Sequence, residues 1–150
     1  MATRVQKIGV IDQGNSTTHD FTVPAGGVAA GNFIVVRAVI DSGTITFSSV
    51  TDTAGNTYTL DRQVGDVGNA ISILIASGQI TSALASGNFI RITVSAGIDL
   101  IGDAVEWSGV AASGALDQTQ SKAPLSFGTA WTSNETANTT QNDELLIGLC

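Results

Sequence analysis

One cysteine, one histidine, one methionine and two prolines stand among 150 residues, and each scarcity closes off a chemistry. Cys150 alone can form no disulfide within the chain and no thiolate metal cluster. It reads as a residue of a terminal strand, or as one half of an intermolecular bridge. His19 alone leaves a zinc site of the histidine–cysteine kind without ligands, and any Ser-His-Asp triad would have to use it. It sits between Thr18 and Asp20 at a strand start, with no G-x-S-x-G elbow elsewhere, so a solvated strand-end histidine is expected. Charge is scarce too, at 13% of residues against roughly 25% in ordinary domains. Six cations (Arg4, Lys7, Arg37, Arg62, Arg91, Lys122) are scattered singly over a chain of net charge −7. Without a basic stripe, phosphate contacts cannot drive nucleic-acid binding, and anionic membranes are disfavoured. No apolar run approaches the ~20 residues of a membrane span. The opening MATRVQKIGV lacks an apolar core and a cleavage site, so no signal peptide is expected. Such a protein is a piece of a secreted chain, or it reaches its place without the general secretion route, as a phage structural protein does. No Gly-rich phosphate cradle is spaced correctly for a nucleotide.

What the sequence does contain is extended segments punctuated by Gly, Asn, Asp and Ser. Strand signals recur over residues 5–11, 19–23, 32–40, 44–50, 57–64, 70–76, 88–96, 100–108, 136–140 and 144–150, with loops and one edge strand expected between 109 and 134. Residues 32–40 are apolar on both faces, which predicts a central strand covered on both sides, with Arg37 marking where one face meets solvent. In 100–108, Val105 and Trp107 share one face and Ala104, Glu106 and Ser108 the other, so Trp107 is expected in the core. About nine or ten short strands without helical periodicity predict an all-β chain: an antiparallel β-sandwich or jelly roll, built as one domain over 1–150. Uncharged polar residues cover its surface, a composition that suits a virion or extracellular protein.

Three groups of residues invite a chemical reading. Asp41-Ser42-Gly43 after Val39-Ile40 has the form of an aspartic-protease motif, with Leu146-Ile147-Gly148 as its distant companion. That chemistry needs two carboxylates sharing a proton, and a hairpin loop with Gly in the left-handed region uses the same residues. Asp52, Asn56 and Asp61 flank one turn, and Asp99 and Asp103 another. Hard oxygens of this kind can bind Ca²⁺, yet without EF-hand spacing they read as caps of Asx turns. Trp131, in a polar stretch, is the better candidate for a sugar-stacking platform than Trp107 or Tyr58. The expectation is therefore of a chain with no catalytic residues, no bound metal and no cofactor.

The stretches VTDTAGNTYTL at 50–60, AVEWSGVAASGALDQT at 104–119 and NDELLIGL at 142–149 resemble a family of β-sandwich modules of bacterial surface proteins and phage virion proteins. The resemblance runs from about Ala30 onward and implies a non-enzymatic module that displays, adheres or assembles. In that family further strands follow, so the domain is expected to be incomplete at its C-terminus. The last segment sharpens this: Leu145, Ile147 and Leu149 form one apolar face of a strand with nothing after it. An exposed apolar edge invites pairing with another chain. Leu145, Ile147, Leu149 and Trp131 are thus the expected partner-contact residues. The expected partners are further copies in a homo-oligomer or other virion or surface subunits, with glycans as the alternative for an adhesive module; nucleic acid and membrane insertion are not expected.

Overall fold

The computed structural model describes residues 1–121, 135–140 and 145–149. The described residues form an all-β, antiparallel architecture with six strands and no helix: β1 (Thr3–Thr22), β2 (Phe33–Ile40), β3 (Phe47–Asp52), β4 (Thr59–Asp66), β5 (Ile71–Gln79) and β6 (Phe89–Ser108). The strand order is β1-β6-β2-β5-β4, with β3 paired to β6 as well.

Two strands of 20 residues explain why six strands do the work of more. Segments 5–11 and 19–23, read separately in the sequence, are one strand; so are 88–96 and 100–108. The gaps between those segments, at 12–18 and 97–99, instead mark a bend in a continuous β1–β6 ribbon. Register shifts fall there, between Gln13 and Ser16 and between Ser16 and Thr18. Asn15 adopts φ 23, and its N–H donates to the Asp99 carboxylate at 2.6 Å. Bulges of this kind bend a ribbon without ending it. Residues 136–139 carry no strand, and 145–149 form none either.

The bend gives β6 different neighbours along its length. Its C-terminal part runs beside β2, from Leu100 opposite Ile40 to Trp107 opposite Phe33. Its N-terminal part runs beside β3, from Ile90 opposite Asp52 to Val94 opposite Phe47. One apolar cluster nevertheless holds side chains from both parts: Ile34, Ile40, Leu74 and Leu100 from one, Phe21, Phe47, Ile90 and Ile92 from the other. Each such side chain, taken from water, contributes roughly 1.5–3 kcal/mol.

Alternation fixes which residues face this core. Ile34, Val36, Ala38 and Ile40 of β2 point in, all at most 1% exposed. Their cross-strand partners on β6 are Glu106, Ala104, Gly102 and Leu100. Val105 and Trp107 therefore stand on the outer face, with Phe33, Val35, Arg37 and Val39. This reverses the expectation for Trp107, and the reason lies in what Glu106 meets inside.

Candidate functional site

Glu106 is 1% exposed. Its Oε2 accepts from the Gln6 side-chain amide at 2.6 Å, and its Oε1 accepts from the Asn32 amide at 2.6 Å and the Ala29 backbone N–H at 3.2 Å. The Gln6 amide also donates to the Gly27 carbonyl at 2.6 Å. A buried carboxylate is tolerated when its lone pairs are filled this way. These bonds tie the loop between β1 and β2 to the inner face of β6. Period two revealed two faces of the strand, but the donors that select the inner one lie 74 to 100 residues away.

The DTAGN turn is a second saturated cluster. Asp52 Oδ1 accepts from the N–H groups of Ala54 and Asn56 at 2.9 and 3.1 Å; Oδ2 accepts from the Asn56 amide at 2.8 Å and the Tyr58 hydroxyl at 2.9 Å. Burial first, and the Asp52 charge second, push the Tyr58 hydroxyl above its ordinary pKa. Asn56 is itself buried; its Oδ1 accepts from Thr81 N, Thr81 Oγ1 and Ser82 N, and its amide donates to the Ser82 carbonyl. The Asp52 and Asn56 oxygens suggested as cation ligands are spent on closing this turn and pinning it to the loop after β5, while Asp61, the third candidate, lies apart in β4 and bonds Ser77. Asp99 and Asp103 of the other candidate pair are engaged with Asn15 N and Arg37.

The protease-like Asp41-Ser42-Gly43 is a loop held by its own serine, whose Oγ accepts from Thr44 N and Ile45 N. The Ser42 carbonyl accepts from the Ser72 hydroxyl at 2.6 Å. Gly43 is there for proximity and not for a left-handed φ: a Cβ would collide with the backbone of Asp66 and Val67. Asp66, 6% exposed, caps the facing turn through the N–H groups of Gly68 and Asn69. His19 is fully buried, against the expectation of a solvated strand end. Because β1 runs on through it, His19 and Phe21 alternate inward opposite Ile92 and Ile90. Its Nε2 lies 3.0 Å from the Ser16 carbonyl, and its Nδ1 has no partner among the described residues.

The outer face of β1, β6 and β2 differs from these clusters in leaving groups uncommitted. Here a groove of about 220 Å³ is lined by Arg4, Lys7, Val35, Arg37, Asp103, Val105, Trp107 and Ile147. Register explains the grouping, since Arg4 lies opposite Trp107, Lys7 opposite Val105, and Asp103 opposite Arg37. Arg37 clamps Asp103 through two bonds of 2.8 and 2.5 Å. That hydrogen bond holds its guanidinium pKa above the ordinary value against an opposing effect of burial. The Trp107 indole N–H is buried and has no acceptor among the described residues. Half of the chain's six cations line this one groove, on a protein of net charge −7.

Of the residues singled out in the sequence, Ile147 lines the groove, and the neighbouring Gly148 carbonyl accepts from Arg37 Nη1 at 3.2 Å. Leu145 and Leu149 are partly buried, while Leu146 between them is 94% exposed. The alternation read in the sequence is present, but without a ladder. Both edges of β2 are already taken by β5 and β6, so a segment reaching Arg37 must lie over the face of the sheet. Trp131 lies outside the described residues. The groove itself was not legible as a site, because Arg4, Lys7, Arg37 and Trp107 are unremarkable singly and converge only through strand register. Compared with known families, curated proteins and solved structures, the chain matches none.

Proposed function

We propose that this chain is a non-enzymatic structural and interaction module: an antiparallel β-sandwich of the jelly-roll type that serves in a virion surface, as a capsid decoration or tail component, or in an extracellular assembly. The observation that carries this reading is the outer face of the strands around β2. Phe33, Val35, Val39, Ile73, Ile75, Ile101 and Val105 share that face, although the inner face already supplies the core. Ile101 stays 60% exposed, and Val10 on neighbouring β1 57%. A sheet that is apolar on both sides has more to bury than its own core requires, and exposed apolar patches mark interaction surfaces. The buried polar clusters point the same way, since Asp52, Asn56, Asp66 and Glu106 are engaged in holding loops. The bent β1–β6 ribbon around one apolar cluster is how a sandwich would be built from six strands, and the resemblance of VTDTAGNTYTL and its companion stretches to surface and virion modules agrees.

A second reading, a carbohydrate-binding or adhesive module, draws on Trp107, which stands on the outer face and whose indole N–H has no acceptor among the described residues. Light scattering of the purified chain over a range of concentrations separates the two. Assembly gives a defined oligomer or a growing polymer. A monomer at every concentration whose tryptophan fluorescence shifts on glycan addition overturns the assembly reading in favour of the adhesive one.

A further inference from the structure

We propose that the outer groove is a docking site for an acidic–apolar extended segment, and that in the assembled protein its occupant is residues 143–149 of a second copy of this chain. The proposal rests on the assembly reading and specifies its joint. The chain itself displays the mode of recognition: Ile147 seats among Val35, Val105 and Trp107, and Arg37 takes the Gly148 carbonyl. Charge is complementary as well. Three cations against the single carboxylate of Asp103 leave the groove positive, and Asp143-Glu144 precede the seated residues in the sequence. Arg4 and Lys7 belong to neither ion pair among the described residues. They flank the groove as cations that can meet those acids, and the buried Trp107 N–H has no acceptor among the described residues.

The same contacts explain why the segment is exchangeable. Residues 145–149 make no ladder among the described residues, so an apolar anchor and a hydrogen bond to a single carbonyl hold them. A neighbour's identical segment would make the same contacts, which is the low-cost route to oligomers by swapping. The chain between Ser121, whose hydroxyl accepts from Arg62 Nε, and Leu145 can span at most ~3.3–3.6 Å per residue, which sets the reach to a neighbouring copy.

Two full-length variants test this. Ile147→Lys spoils the segment and keeps the groove; Arg4→Glu with Lys7→Glu spoils the groove and keeps the segment. All three changes fall on exposed or half-buried positions, and circular dichroism checks that both variants fold. A labelled peptide DELLIGL is expected to bind Ile147→Lys saturably, at least about tenfold tighter than it binds wild type, whose own segment competes at high effective concentration. Binding should weaken with salt and be lost when the three substitutions are combined. Mixed in equal amounts, the two single-defect variants should form a heterodimer, while each alone stays monomeric. If the peptide fails to bind Ile147→Lys, if a scrambled or acid-free peptide binds equally, or if an acidic oligosaccharide binds in its place, the proposal is overturned. If wild type is oligomeric but both variants assemble like it, or the mixture stays monomeric, copies meet elsewhere: the proposal falls and the assembly reading stands. A wild type that is monomeric throughout, with a monomeric mixture, overturns both.

Discussion

The two faces of β2 are built from similar residues and behave differently. Inward, Ile34, Val36, Ala38 and Ile40 are sealed, and the one acid across from them, Glu106, has its oxygens filled. Outward, Val35 is nearly as buried, but its neighbours are an Arg37–Asp103 pair about one-third and one-fifth exposed and, among the described residues, an indole without an acceptor and two cations in no ion pair. Apolar content alone does not distinguish a core from an interface. What distinguishes them is whether the polar groups in between are satisfied. The inner face of β2 has its acid satisfied within the chain, although His19 Nδ1 on β1 has no partner among the described residues, and the outer face leaves donors for something else.

The largest expected effect breaks this comparison at its aromatics. Phe21 is fully buried on the inner side, and Phe21→Ala should cost about 3–5 kcal/mol in denaturant unfolding. Trp107 is larger but faces outward and is only partly buried, so Trp107→Ala should cost less, roughly 1–2 kcal/mol. Equal losses would mean that the outer face is packed as a second core. Next in size is Glu106. Glu106→Ala takes the acceptor from the Asn32 amide and the Ala29 N–H and leaves the Gln6 amide with Gly27 alone, and losing these bonds to a charged group should cost about 2–3 kcal/mol. Glu106→Gln should recover only part of this, because the Gln6 nitrogen also serves Gly27 and cannot turn over to offer its oxygen. Full stability in the Ala variant, measured by the same unfolding curves, would show that the loop from β1 to β2 is held without Glu106, by the bridge of Val28 to Leu84 and the backbone bonds of Gly31 and Asn32 with Ile80.

Much of the fold was legible because alternation and turn chemistry are local. β2, expected at 32–40, lies at Phe33–Ile40; β5, expected at 70–76, lies at Ile71–Gln79. The Asx-type closure of the DTAGN turn followed from the residues that such turns prefer. Three features were not legible, each for a non-local reason. The Gly14-Asn15 and Gly97 signals have the composition of turns, and only the pairing of β1 with β6 shows that they bend a ribbon. The face shared with Val105 favoured Trp107 for the core over Glu106, and only the distant Gln6, Ala29 and Asn32 reverse that choice. The terminal Leu-Leu-Ile pattern has the period of a strand, but β2 has no free edge to pair with it where Arg37 meets it, so it crosses a face.

The smallest expected effect tests what the covering of the outer layer costs. Asp61 lies in the bulge between Leu60 and Arg62 of edge strand β4. It shares a groove with Phe33, Ser77 and the Ala112–Leu116 stretch. Loss of solvent there raises its carboxyl pKa above the ordinary value, only partly opposed by a hydrogen bond from Ser77. A raised folded-state pKa means that the folded chain holds its proton more tightly than the unfolded chain. Stability therefore falls as pH rises from the ordinary carboxylate range through the raised value. Above the raised value the penalty is fully present; below the ordinary range it vanishes. Asp61→Asn keeps an acceptor for Ser77 and removes the charge. It should raise the melting temperature at pH 7 by a small amount, on the order of a degree, and the gain should shrink to nothing in acid. A loss of stability at pH 7 would mean that the Ser77 bond to the charged carboxylate outweighs its desolvation. The outer layer would then be open enough to water at this edge for Asp61 to remain solvated.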